Sequence, residues 1–258
     1  MTDTHAYRAI FISDVHLGTY GCQGEKLCDF LDRSESEYLY LVGDIVDGWR
    51  LRQRWYWPQA HNDVIQKIFA KARAGTKVVF VPGNHDEFAR DYDGIVIGGI
   101  PVALTTWHVT ASGKRLYVMH GDEFDGVVRY GKWLAHVGSW AYDMTVILNG
   151  WLNFVRRKAG LPYWSLSAFI KRRVKEAVKF ITNFEEALFR HAHEIGADGV
   201  VCGHIHHPSI KEKPGVLYLN DGDWVENGTA LVETMSGELA ILKWEVTTPP
   251  HVVQCVKF

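Results

Sequence analysis

The chain has 258 residues, 47% hydrophobic and 22% charged, with a net charge of −2. That is enough chain for one large domain with a full core, and too apolar for a disordered polymer. The near-neutral balance excludes a general electrostatic drive toward nucleic acid, so no specific nucleic-acid partner is expected.

The charge is unevenly placed. Residues 125–185 carry 10 Lys/Arg and 4 Asp/Glu, a local excess of +6, which leaves −8 for the rest. An acidic body with one basic, aromatic insert fits a cation site capped by an anion-binding lid. Cys22, Cys28, Cys202 and Cys255 form no C-x-x-C pair, so free thiols in a reducing compartment are expected. The polar run Met1 to Arg8 lacks the apolar core of a signal peptide. Gly94 to Gly113 is uncharged but broken by glycines and a proline, which argues against a membrane span. A cytoplasmic protein is the expectation.

Tyr7-Arg8-Ala9-Ile10-Phe11-Ile12 reads as a first strand, ending in Ser13-Asp14-Val15-His16. Residues two apart in extended chain point the same way, so Asp14 and His16 can face one cation. Gly18, Gly21 and Gly24 do not match a dinucleotide fingerprint and suit a loop beside these residues. Gly24 to Leu31 reads as a short helix. Glu37 to Val42 is a second strand, ending in Gly43-Asp44-Ile45-Val46-Asp47-Gly48-Trp49. An apolar spacing through Val64, Ile65, Ile68, Phe69 and Ala72 predicts a helix over Pro58 to Ala74.

Lys77 to Phe80 is a third buried strand. Pro82-Gly83 turns the chain and delivers Asn84 and His85 at its end. Residues 95–110 and 115–119 read as further strands, the latter ending in His120-Gly121-Asp122. Residues 125–185 interrupt the pattern with two or three helices. One has an apolar stripe of Ile170, Val174, Ala177, Val178, Ile181, Phe184 and Leu188, with Lys171, Arg172, Arg173, Lys175 and Lys179 off it. Such a helix packs one face and solvates the other, or presents cations to phosphate and apolar rings to an acyl chain or bilayer. Ala197 to Cys202 is the next strand, followed by Gly203-His204-Ile205-His206-His207. His-x-His puts two imidazoles on one side, a common ligand spacing, and His207 alternates away. Val216 to Trp244 alternates apolar and polar residues and predicts an antiparallel set completing a second sheet. Turn chemistry accounts for Asn220, Asp221 and Asp223.

Five strand ends thus carry Asp14 and His16, Asp44, Asn84 and His85, His120, and His204 and His206. Histidines and carboxylate or amide oxygens without thiolate suit Mn²⁺, with Fe or Zn²⁺ also compatible. Two cations roughly 3.5–4 Å apart can clamp the attacking and departing oxygens at phosphorus and activate water near neutral pH. There is no G-x-S-x-G elbow and no G-x-x-x-x-G-K-[ST] loop.

The order D-x-H, G-D-x-x-D, G-N-H-D, H-G-D, G-H-x-H resembles the calcineurin-like metallophosphoesterase superfamily. The resemblance implies an α/β fold, two facing mixed β-sheets flanked by helices in a four-layer sandwich. The whole of 1–258 would be that domain, with 125–185 a helical cap inserted as a lid. It implies two divalent metal ions, one on Asp14, His16 and His206 and the other on Asn84, His120 and His204, bridged by Asp44. It gives His85 the leaving oxygen and Asp47 the task of orienting His85.

Ser13-Asp14-Val15-His16-Leu17-Gly18, Trp49 and the basic-aromatic insert look like the UDP-2,3-diacylglucosamine diphosphatases of lipid A synthesis. That resemblance implies a UDP-linked acylated sugar as substrate, UMP and 2,3-diacylglucosamine 1-phosphate as products, and peripheral contact with the inner membrane. Arg129, Lys132, Trp133, Arg156, Arg157 and Lys158 are the candidate lid contacts. The best-known members carry Arg after the Asn, whereas this chain has His85, as the wider superfamily does. Another metallophosphoesterase with a related nucleotide, lipid or phosphodiester substrate, and a non-catalytic metal-binding scaffold, are the alternatives.

Overall fold

The first strand is apolar on both faces, and the computed structural model places it in the interior of a sheet. The structure describes residues 4–127, 166–246 and 250–257. In chain order the elements are β1 (His5–Ile12), α1 (Gly24–Arg33), β2 (Ser34–Val42), α2 (Gly48–Gln53), α3 (Gln59–Arg73) and β3 (Lys77–Val81). A 3-10 turn at Glu87–Tyr92 leads to β4 (Val96–Ile97), β5 (Ile100–Pro101), β6 (Thr106–Val109) and β7 (Arg115–Val118). After a 3-10 turn at Asp122–Val127 come α4 (Leu166–Glu194), β8 (Gly199–Cys202), β9 (Ser209–Lys213) and β10 (Val216–Asn220). The chain closes with β11 (Thr229–Glu233), β12 (Glu238–Lys243) and β13 (His251–Lys257). It divides into two compact units, Met1–Glu123 with Leu188–Phe258, and Phe124–Ala187.

The first unit holds two mixed sheets. One has the order β13-β12-β11-β1-β2-β3, the other β6-β7-β8-β10-β9. β1, β2 and β3 are parallel to one another, as are β7, β8 and β10. Alternation along β1 assigns the layers. Ile10 and Ile12 join Leu27, Phe30, Val64 and Ile68 of α1 and α3 in one core. Ala9 and Phe11 face the other way, into a second core with Leu116, Val118, Val201 and Leu217 of the opposite sheet. Both faces of β1 are therefore covered, which is why it reads as a nearly continuous apolar run. The last turns of α4 lie on the outer side of the second sheet, with Phe189 against Tyr218 and His191 against Tyr117. Helices thus flank both sheets.

The α3 boundaries follow the sequence signals, with Pro58 at the N-cap and Ala74 at the C-cap. The antiparallel set at the C-terminal end is differently placed from the expectation. Only β10 enters the second sheet, parallel to β8. β11 and β12 extend the first sheet, with Ile10 paired to Val232 and Leu231 to Ile241. Period-two alternation identifies strands but is silent on which of two sheets receives them. β9, β13 and the six-residue α2 are too short or too polar to stand out in the sequence.

Between the sheets lies one polar tie. His108 on β6 places Nε2 2.7 Å from Glu233 Oε2 on β11 and Nδ1 3.0 Å from the Tyr40 hydroxyl on β2. Glu233 Oε1 also accepts from the Ala111 N–H at 2.7 Å. All three side chains are buried. Glu233→Ala orphans two of these groups, and at roughly 1–3 kcal/mol for each unsatisfied buried group it should cost about 3 kcal/mol. Urea denaturation checks this, with Glu233→Gln, which keeps an acceptor oxygen, expected to lose less.

Candidate metal centre

Because the strands on either side of the interface run parallel within their sheets, their C-terminal ends gather at one edge of the sandwich. The loops there hold Asp14 and His16 after β1, Asp44 after β2, Asn84 and His85 after β3, His120 after β7, and His204 and His206 after β8. Ligand-type atoms of Asp14, His16 and His206 lie within 4.8 Å of one another. Those of Asp44, His120 and His204 do the same, and so do those of His16, Asp47 and His85.

Asp44 is the hub. Its Oδ1 accepts from the His85 backbone N–H at 2.8 Å. Its Oδ2 lies 3.3 Å from His120 Nε2, 3.9 Å from His16 Nε2 and 4.0 Å from His85 Nε2. Asp14 uses Oδ2 to accept from Ser13 Oγ at 2.6 Å and from the His204 N–H at 2.7 Å, while Oδ1 lies 3.0 Å from His206 Nε2. The two clusters are thereby joined through side chain and backbone.

The loops after β1, β2 and β8 are held in an uncommon conformation. Asp14, His16, Asp44, His204 and His206 have φ between 48° and 70°, and they are the non-glycine residues with positive φ among the described residues. Such backbone costs of order 1–3 kcal/mol per residue and persists where the surroundings over-determine it. Here the restraint is a ladder of backbone bonds between loops: Asp14 N–H to Gly43 O, His16 N–H to Asp44 O and Leu17 N–H to Ile45 O, at 2.9–3.0 Å. Glycine is required at Gly83, where a Cβ would fall 2.3 Å from Asp44 Oδ1 and 2.7 Å from His120 Cδ2.

Several of these side chains keep one buried polar atom outside any hydrogen bond. Asp14 Oδ1, His16 Nε2, Asn84 Oδ1 and His120 Nε2 are buried without a hydrogen-bond partner. The opposite nitrogen of each of those two imidazoles is committed: His120 Nδ1 to Val42 O at 2.9 Å and His16 Nδ1 to Asp47 Oδ2 at 3.2 Å. A ring that donates through Nδ1 carries its lone pair on Nε2, the arrangement of a metal-ligating histidine. Buried oxygens and imidazoles with no thiolate among them fit divalent cations. Asp47 Oδ2 also lies 3.0 Å from His85 Nδ1, though the N–H is not aligned for a hydrogen bond. Asp47 Oδ1 caps α2 by accepting from Arg50 N–H at 2.8 Å.

The electrostatics describe the same demand. Burial disfavours charge on His16, but Asp14, Asp47 and Asp44 around it raise it to about 10. Burial also opposes charge on His120, and Asp44 and Asp14 raise it to about 10. Asp44 is pulled down to about 2 against burial, chiefly by His120. Asp14 is likewise held well below the usual carboxylate range by His206 and His16.

Two carboxyls that sequence reasoning did not assign complete the support. Asp86, fully buried, accepts from the N–H groups of Gly83 at 2.5 Å, Ile45 at 2.8 Å and Asp44 at 3.3 Å, tying the loops after β2 and β3. Burial and the neighbouring Asp44 push it up to about 6. Asp221 lies 2.6 Å from Ser13 Oγ, which is also 2.6 Å from Asp14 Oδ2. One hydroxyl proton cannot serve both carboxylates, and burial raises Asp221 well above its ordinary value. The consistent arrangement is Asp221 O–H donating to Ser13, and Ser13 to Asp14. Asp86 was visible as the fourth residue of Gly-Asn-His-Asp. For Asp221 the only signal was a carboxylate in a turn; Asp223 does act as a turn cap, accepting from Val225 and Glu226 N–H. Arg129, Lys132, Trp133, Arg156, Arg157 and Lys158 lie outside the described residues.

Metal should therefore replace protons. With His16 and His120 raised above an unfolded value near 6.5, their pairing with carboxylates stabilises the metal-free chain fully below that pH. That contribution is lost as pH rises toward 10, while competition between metal and protons eases over the same window. Thermal melts should show metal-free stability falling from pH 6.5 to 10 and the gain from Mn²⁺ growing. At a hundredfold excess over Kd the gain is about 2.7 kcal/mol, on the order of 5–10 °C for a chain of this size. EDTA should reverse it.

A family model for calcineurin-like phosphoesterases matches residues 7–208. The chain is 24% identical over 225 residues to the UDP-2,3-diacylglucosamine hydrolase of Photorhabdus laumondii subsp. laumondii, covering 80% of this chain and 84% of that one. It is 26% identical over 208 residues to the UDP-2,3-diacylglucosamine hydrolase of Chromohalobacter salexigens, covering 79% and 81%. Among solved structures, the phosphoesterase Yfce from E. coli is 16% identical, covering 96% of this chain and 97% of that one with a TM-score of 0.49. The family match spans well over half the chain and contains every candidate ligand from Asp14 to His206. The chain is a hydrolase and belongs to the calcineurin-like phosphoesterase family.

Proposed function

We propose that the chain is a dinuclear metal-dependent pyrophosphatase that cleaves UDP-2,3-diacylglucosamine to UMP and 2,3-diacylglucosamine 1-phosphate. The reaction takes place at the cytoplasmic face of the inner membrane. The observation that carries the reading is the position of Asp44 Oδ2 between imidazoles of two ligand groups, with His16 Nε2 and His120 Nε2 beside it and, like Asp14 Oδ1 and Asn84 Oδ1, buried without a hydrogen-bond partner. The names of the two relatives support the choice of substrate.

Asp14, His16 and His206 would hold one cation and Asn84, His120 and His204 the other, with Asp44 shared. Mn²⁺ suits the donors. When bound, such a pair neutralises phosphoryl oxygens and makes water nucleophilic near neutral pH. The protein groups do the rest. Asp47 faces both His16 Nδ1 and His85 Nδ1, so one carboxylate oxygen sets the orientation of a ligand and of the residue beside it. His85 is partly exposed at the mouth, and its Nε2 is the atom available to hold or deliver a proton to the departing phosphate oxygen. The insert 125–185 is assigned the part of a lid, with Arg129, Lys132, Arg156, Arg157 and Lys158 the candidates to bind phosphate and Trp133 the candidate to bind an acyl chain.

Mass spectrometry of products formed from UDP-2,3-diacylglucosamine with Mn²⁺ tests the reading. Asn84→Ala and His120→Ala should abolish turnover with the fold intact by circular dichroism; turnover in either removes the ligand assignment. His85→Ala should lower kcat by about 10²–10⁴ while metal content holds. Replacing Trp133 and Trp140 with Ala should impair lipid-substrate hydrolysis more than bis-p-nitrophenyl phosphate hydrolysis, and equal losses would remove the lid role. Because His85 stands where the best-known diphosphatases carry Arg, a second reading is a phosphodiesterase of related specificity. Efficient hydrolysis of the small diester with none of the UDP-lipid would favour it.

A further inference from the structure

The loops that carry His16 and Asp47 also wall a recess for which the hydrolytic chemistry has no use. Its volume is about 440 Å³, and it is lined by Gly18 and Tyr20 on one loop and by Arg50, Gln53, Arg54 and Tyr56 on the other. The recess shares its frame with the metal centre. Thr19 N–H and Oγ1 bond His16 O at 3.1 and 2.9 Å, Asp47 N–H bonds Leu17 O at 2.8 Å, and Asp47 caps the helix that carries Arg50. Gly18 keeps the two walls close: its φ is +105°, and a Cβ there would fall 2.6 Å from Leu51 Cγ. Its N–H donates to the buried His61 Nδ1 at 3.1 Å, so the loop is fixed in advance of any ligand.

The lining is chemically mixed in a specific way. The segment Trp49-Arg50-Leu51-Arg52-Gln53-Arg54-Trp55-Tyr56-Trp57 carries an arginine at every second position from 50 to 54, with aromatic rings at both ends. Among the described residues, Arg50 and Arg54 have no carboxylate partner; Arg54 instead lies 5.9 Å from the Tyr20 ring centroid. Tyr20 rests on Tyr56 with centroids 3.8 Å apart, and it is 66% exposed, so its outer face is open. Guanidinium forks match phosphate oxygens, and an open aromatic face takes a nucleobase. A concave space of this size suits a small molecule rather than a flat surface.

We propose that this recess is a nucleotide subsite. Arg50 and Arg54 hold a nucleoside phosphate, the base stacks on Tyr20, and the Gln53 amide meets the polar edge of the base. The assignment rests on the nucleotide-sugar reading above and adds to it the place where the nucleotide half is recognised.

Calorimetric titration of the full, Mn²⁺-loaded chain with UMP, uridine and inorganic phosphate tests it. UMP should bind more tightly than either fragment. Arg50→Ala and Arg54→Ala should each weaken UMP by about tenfold or more, the loss expected for a charge-assisted contact. Arg54→Lys should fall between, and Tyr20→Ala should weaken uridine as well as UMP. The substituted side chains are exposed or half-exposed, and melting temperatures verify folding. UMP affinity unchanged in all the alanine variants overturns the subsite. So does loss of binding to phosphatidylglycerol vesicles in the arginine variants with UMP affinity unaffected, which would give the face to a lipid surface. If the wild type cleaves UDP-2,3-diacylglucosamine but UMP binding ignores Arg50 and Arg54, the subsite alone fails. If UMP binding needs both arginines and the lipid is not cleaved, the subsite stands and the substrate reading fails.

Discussion

Buried negative charge governs this structure. Asp14, Asp44, Asp47 and Asp86 lie within a few loops of one another, all nearly inaccessible to water. An ionised carboxylate taken out of water costs several kcal/mol unless it is paired or bound to a cation. Asp86 is satisfied by backbone N–H groups, and Asp47 by a helix cap and His16. Asp44 Oδ2 has no amide to bond; it faces three imidazoles. Two of those, His16 and His120, are anchored through their other nitrogen, so they can turn only one atom to the centre. Such an arrangement of buried carboxylates and anchored imidazoles suits bound divalent cations.

The sandwich exists to bring such groups together from distant parts of the chain. Parallel strands in both sheets send their C-terminal ends to one edge, and each loop then needs a backbone that turns its side chain inward. The β1 and β2 loops do this jointly. Their cross-bonds continue the pairing of the two strands past the end of the sheet, with Asp14, His16 and Asp44 all held at positive φ. Asp86 binds the loop after β2 to the loop after β3. Ser13 binds Asp14 to Asp221 after β10. The polar residues beneath the centre therefore serve geometry first.

The strands and their terminal residues were legible because a doubly buried parallel strand is an apolar run, and a Gly, Asp, Asn or His at its end is a sharp change of composition. Asp14, His16, Asp44, His120, His204 and His206 stand out in that way. Sheet membership of β11 and β12 was not legible, since alternation is identical in either sheet. Asp86 and Asp221 were seen as letters but not as braces, because their partners are backbone amides and a hydroxyl brought near by folding. The frequent tryptophans split as physics requires. Trp224 and Trp244 are wholly buried, the latter with its N–H on Asp29, while Trp49 on α2 and Trp55 just after it are exposed. Composition announced the rings without telling these groups apart.

The strain bears on whether the centre is a working site or an inherited scaffold. Positive φ at a non-glycine residue is costly, and the five instances among the described residues all fall on candidate ligands. A fold needs none of them for its own sake: Gly or Asn would relieve each position, and five relaxations at about 1 kcal/mol or more apiece would exceed half of a typical domain's net stability. Chains that only carry partners have no reason to keep Asp and His in these conformations with ligand-type atoms clustered and buried. Keeping the strain, the buried charge and the glycine clearances together is intelligible when a ligand set must converge on cations that react.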